Sequence, residues 1–134
     1  MKKELQEQLF AIEPSWFDRT NIKESLMCFG FEVGDGWFTL LEQLLKQIKS
    51  MNPPEGFQIQ QVKEKFGGLR FYHNGAYKSD IDAVVNFAEG LSYKICEECG
   101  NPGSTKGGKG WIRCLCLSCR EKLNTKIDYS VYGN

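Results

Sequence analysis

The chain has 134 residues, room for one compact domain or one domain with a small appendage. At 41% hydrophobic and 13% aromatic it can bury a core, which excludes a disordered chain. Its 17 basic residues balance 17 acidic ones; coating bulk nucleic acid calls for a basic excess, so that class is disfavoured.

The opening "MKKELQEQLFAIEP" has apolar residues interrupted by Glu and Gln, unlike a signal peptide. No apolar run approaches membrane-spanning length, so a cytoplasmic location is expected. Residues 3 to 12 read as an amphipathic helix with Leu5, Leu9 and Ile12 on one face, ended by Pro14. The next twenty residues read as irregular, with one short helical turn; Trp16, Phe17, Phe29 and Phe31 fill core or seal a groove. "DGWFTLLEQLLKQIKSM" is the clearest helix. Asp35 is its expected N-cap, and Phe38, Leu41, Leu44, Leu45 and Ile48 form its apolar stripe. "NPPEG" stops it.

"FQIQQVKEKF" and "LRFYHN" are strand-type runs flanking Gly67-Gly68, a two-residue hairpin signal. A turn at those glycines pairs Phe66 with Leu69, Lys65 with Arg70, Glu64 with Phe71 and Lys63 with Tyr72. Side chains alternate between faces. Val62, Glu64, Phe66, Leu69 and Phe71 then share the core face, where Glu64 needs an edge or a partner. Lys63, Lys65, Arg70 and Tyr72 share the other. Opposed cations disfavour an isolated hairpin, so Asp80, Asp82 or an anionic ligand is expected to compensate. The bland alternative is a solvated, lysine-rich edge. A second long helix follows, capped by Ser79, with Ile81, Val84, Val85, Ala88 and Leu91 facing the core.

After residue 94 the texture changes. Cys96 and Cys99 form one C-x2-C knuckle, with Gly100 supplying permissive backbone, and Cys116 and Cys119 form another. Such pairs hold one tetrahedral ion, structural Zn²⁺ above all, in a segment too poor in apolar residues to fold alone. Pairing Cys114 with Cys116 or Cys119 as C-x-C is the rival assignment; the repeated knuckle spacing favours Cys116 and Cys119. The expected architecture is α+β: an α+β core over residues 1–94, with helices on a small antiparallel hairpin, and a zinc-ribbon-like tail over 95–134 packed on it. "LSCREKLNTKI" is its expected closing helix.

"VKEKFGGLRFY", with the preceding "GDGWFTLLEQLL" helix and the "CEECGNPG…GW…LCLSC" tail, resembles a family of small uncharacterised proteins of bacteriophages, prophages and bacteria. The resemblance spans roughly residues 28 to 119. It implies a phage-type protein with a zinc-ribbon tail, acting in the cytoplasm of a bacterial host. It supplies no activity, though accessory roles such as inhibiting antiviral defence suit that origin. In the family pattern the position of Cys114 need not be cysteine, which again supports Cys116 and Cys119.

No Walker, Gly-x-Ser-x-Gly or His-Glu-x-x-His pattern occurs, and the single histidine, His73, has no assigned catalytic partner. Cys28 reads as a small buried apolar residue. Trp37 reads as a core anchor, and Trp111 as packing on the tail. The expectation is a non-enzymatic binding protein whose Lys63, Lys65, Arg70 and Tyr72 hold an anionic, nucleotide-like ligand. The alternative is a protein-interaction module that inhibits a host protein.

Overall fold

The computed structural model describes residues 1–123 and 126–133. Its helices are α1 (Lys3–Phe10), α2 (Phe38–Ser50), α3 (Asp80–Ser92) and α4 (Leu117–Lys122). A mixed three-stranded sheet, in the order β1 (Phe31–Glu32), β2 (Ile59–Lys65), β3 (Gly68–His73), completes the α+β architecture. β1 runs parallel to β2 and β3 antiparallel to it. Leu41, Leu45 and Ile48 of α2, Val85 and Ala88 of α3, and Val62, Leu69 and Phe71 of the hairpin share one core. Phe10, Phe17 and Phe31 join it as edge-to-face and tilted aromatic pairs.

The hairpin turns one residue earlier than expected. Lys65 faces Gly68, Glu64 faces Leu69, Lys63 faces Arg70 and Val62 faces Phe71. Phe66 and Gly67 are the loop, with φ of 53° and 84°, the left-handed pair that a tight hairpin turn demands. Gly68 serves packing instead: the Tyr93 ring occupies the place where its side chain would stand. Glu64 finds its partner in the turn, accepting the Gly67 N–H at 2.7 Å.

This register offsets every pair by two positions from the expected one, so side chains keep their faces while their opposite numbers change. Val62, Leu69 and Phe71 are buried as anticipated. Phe66 is not: it rides the tip, 66% exposed, because the turn takes it out of the strand.

Two helix expectations also need correction. Asp35 does not cap α2. It opens a 3-10 turn, Asp35–Trp37, and its carboxylate accepts the Lys2 backbone N–H at 2.8 Å. Leu91 is 39% exposed, since the inner face of α3 runs through Ile81, Val85, Ala88 and Ser92. Ser79 does cap α3, accepting the Asp82 N–H at 3.2 Å. Part of the expected closing helix, at 124–125, lies outside the described residues.

α3 lies along β3 and serves it with side chains. Ser92 Oγ accepts the Leu69 N–H, and Glu89 Oε2 the Phe71 N–H, both at 2.8 Å. Burial raises the Glu89 carboxyl above its ordinary value, against the lowering effect of that N–H and of Arg70. His73 reaches Asp82 at 3.3 Å, fastening the end of β3 to the start of α3.

Candidate metal centre and hairpin face

Each knuckle is built by local hydrogen bonds. The Gly100 N–H returns to the Cys96 carbonyl at 2.9 Å, which requires the left-handed φ of 83° at Gly100. That turn brings Cys99 beside Cys96. Cys116 sits at the N-cap of α4, where its sulfur accepts the Cys119 N–H at 3.4 Å. The four sulfurs of Cys96, Cys99, Cys116 and Cys119 all lie within 4.8 Å of one another.

The Cys99–Cys116 sulfur separation is 3.7 Å. That is far beyond a disulfide bond of about 2.05 Å. It matches the edge, about 3.8 Å, of a tetrahedron whose thiolates stand about 2.3 Å from a central ion. The donor set and its geometry therefore fit a four-thiolate metal site. Burial opposes ionisation of Cys96, yet backbone N–H groups of Cys116, Cys99 and Glu98 outweigh it and bring the thiol down to about 7.

Cys114 takes no part. It is fully buried in the main core, and its thiol donates to the Tyr93 carbonyl at 3.2 Å. Burial pushes it up to about 11. The C-x-C alternative is thereby removed.

The first knuckle is pressed onto the start of α2. The Gly36 N–H donates to the Glu97 carbonyl at 2.7 Å, the Gly34 N–H to the Glu97 carboxylate at 2.9 Å, and the Trp37 indole to the Ile95 carbonyl at 2.9 Å. A side chain at Gly36 would strike the backbone of Cys96 and Gly100. "GDGW" is thus the seat of the knuckle as well as a helix start. Two glycines around Asp35, just ahead of a tryptophan, were the available signal for this close approach. Glu97 is buried and also meets Arg113 at 3.3 Å, while Arg113 reaches Glu98 at 2.7 Å.

Lys63, Lys65, Arg70 and Tyr72 do share one sheet face, with Lys63 rather than Lys65 opposite Arg70. Tyr72 is 46% exposed and Lys65 is exposed, its ammonium 5.6 Å from the Phe66 ring centroid. Arg70 is held: Nη1 donates to the Tyr93 hydroxyl and to the Leu69 carbonyl, each at 3.1 Å. The Tyr93 bond is the main reason its pKa rises. Asp80 and Asp82 do not compensate these cations by ion pairing, since Asp82 turns to His73 and to the Lys78 N–H. Exposed Glu32 stands beside Lys63 in the parallel register, and the Glu89 carboxylate acts on Arg70 from α3.

The remaining candidates fall apart from these sites. Cys28 is exposed, contrary to expectation, because it sits in a 3-10 turn, Met27–Phe29, of which only Met27 is buried. Trp37 is fully buried, whereas Trp111 is 77% exposed, with the Arg113 guanidinium 5.4 Å from its ring. Among the described residues no helix is long and apolar enough to cross a membrane. No protein-family model, curated protein or solved structure matches the chain.

Proposed function

We propose that this is a non-enzymatic binding protein that receives an anionic, nucleotide-like ligand on the outer face of the β2–β3 hairpin, with a tail organised by Zn²⁺. One observation carries the first part. Arg70 is pre-oriented by Tyr93 directly across from Lys63, and among the described residues neither of them, nor Lys65, forms an ion pair. A phosphate bridging Lys63 and Arg70 would relieve the repulsion of that cross-strand pair. Tyr72, two residues on and exposed, would pack on a base or sugar. Zn²⁺ is the closed-shell ion that four thiolates at this spacing favour, and a site with no open position is structural.

Charge-assisted contacts are typically worth about 1.5–3 kcal/mol each, so Arg70→Ala should weaken binding roughly ten- to a hundredfold. The test is mass spectrometry of small molecules retained by the purified chain, followed by titration of any nucleotide found into wild type, Lys63→Ala and Arg70→Ala. Equal affinity in all three would sink the hairpin reading. Elemental analysis returning iron, or no metal, would sink zinc.

Phe66 favours a second reading. An aromatic residue that is both exposed and held at φ 53° costs the free chain twice, in hydration and in backbone strain. Seating that ring in a partner protein would offset the cost. On the resemblance to phage-type proteins, the setting would be a bacterial cytoplasm, and the occupant a nucleotide signal or a host protein of antiviral defence.

A further inference from the structure

We propose that the tail carries a second binding site, independent of the hairpin face, for a compact phosphomonoester. A cavity of about 240 Å³ opens between the glycine-rich loop and α4. Its cationic lining is Lys109, Arg113 and Arg120, its apolar lining Leu115, Leu123 and Trp111. The volume is below the roughly 300 Å³ at which pockets for drug-sized ligands begin, which suits a phosphate carrying one small flat group.

Arg120 is the centre of the case. It is 3% exposed, yet its acceptors are neutral: Nη2 donates to the carbonyls of Ser104 at 2.7 Å and Arg113 at 2.6 Å, and Nε to the Tyr132 hydroxyl. Among the described residues it has no carboxylate partner, an unusual state for a buried cation. Those bonds fix the guanidinium plane and leave Nη1 over. Gly108 stands against that nitrogen, and a side chain there would collide with it. Gly108 and Arg120 both line the cavity, and the missing side chain leaves room beside Nη1.

The other cations divide clearly. Arg113 is committed to Glu97 and Glu98. Lys109 is exposed, and Asp128, on which its charge acts, already accepts the Ser130 N–H at 3.1 Å and hydroxyl at 2.6 Å. Arg120 and Lys109 therefore offer two positive charges to one small space. A phosphomonoester, with a charge of about −1.5 to −2 near neutrality, matches them better than a carboxylate does. Trp111, largely exposed, supplies a ring against which a planar substituent can stack.

Arg120 follows Cys119 in the chain and would also offset the negative charge of a four-thiolate metal site, so Arg120→Ala would disrupt the tail whether or not the cavity binds anything. The decisive variants are at exposed positions: Lys109→Glu and Trp111→Ala. Phenyl phosphate, inorganic phosphate and benzoate are titrated into the metal-loaded full chain, followed through amide resonances of residues 104–123. The expected result is saturable shifts with phenyl phosphate tightest and benzoate weakest. Lys109→Glu should lose at least tenfold in affinity, Trp111→Ala should remove the preference for phenyl phosphate over inorganic phosphate, and Arg70→Ala should change nothing. Absence of saturable shifts, unaltered binding in Lys109→Glu, or an equal response to benzoate would overturn the proposal.

Discussion

The hairpin and the tail are held together by opposite means. In the hairpin, β2 and β3 are kept in register by a buried face, with Val62 against Phe71 and Leu69 beneath α3. In the tail, pairing shrinks to single bridges, Ile95 with Pro102, Ser104 with Leu115 and Gly108 with Ile127. Among the described residues the tail's own buried apolar cluster is Cys96, Leu115 and Cys119. What replaces apolar area there is a ring of sulfurs and one arginine tied to the carbonyls of two loops. A segment with so little apolar area would draw its stability from an ion held by those thiolates, as a hairpin built on area would not.

Metal removal should break the comparison open. Metal binding in small thiolate sites is on the order of 10–16 kcal/mol, and here much of it is folding free energy of the tail. Chelation at neutral pH, or Cys99→Ser, should collapse the amide dispersion of residues 96–123 and leave the β2–β3 resonances in place. Cys114→Ser should leave metal stoichiometry unchanged. Persistence of tail dispersion in excess chelator would contradict this account.

Phe71→Ala attacks the other region. The residue is 3% exposed, so its truncation should cost about 3–5 kcal/mol in denaturant unfolding, with metal content intact. A loss below about 1 kcal/mol would mean the hairpin does not rest on its apolar face.

Phe66→Asn should go the other way. Asparagine tolerates the left-handed φ of 53°, and Asn-Gly is the preferred pair for this turn. The variant should gain roughly 0.5–1 kcal/mol, read as a higher thermal midpoint. A destabilised variant would show that Phe66 packs against something the exposed tip does not reveal.

The smallest effect is the pH dependence of Glu89. Its folded pKa lies above the ordinary 4.5, chiefly through burial, in a setting that also contains Arg70, Asp82 and His73. The native state therefore takes up a proton between the two values, and stability falls as pH rises through that window. Glu89→Gln keeps an acceptor for the Phe71 N–H but cannot ionise. Its stability relative to wild type should climb as pH rises from 4 through the raised pKa and then level off. A constant difference from pH 4 to 7 would remove the burial argument.

These regions also differ in how legibly they are written. The faces of the hairpin could be read because alternation survives any slip of two residues. The turn could not, because Gly67-Gly68 looks like a loop pair while Gly68 is reserved for the ring of Tyr93, twenty-five positions on. The four clustered cysteines stand in plain spacing, and the knuckle repeat favoured them over Cys114. The glycines of "GDGW" signalled a close approach there but not its partner, since Glu97 lies some sixty residues away in the chain. Arg120 was likewise silent: burial of a cation among carbonyls leaves no periodic trace. Trp111 and Cys28 misled for a related reason, because residue type predicts average burial and loops depart from the average.

The way α3 answers β3 has a consequence for how this molecule can meet others. Ser92 and Glu89 already occupy the outward N–H groups of Leu69 and Phe71, the donors an incoming extended peptide would need. The hairpin is therefore closed to β-augmentation along that margin. Along that edge no partner strand can be added, and the same closure denies a neighbouring copy this template for cross-β stacking.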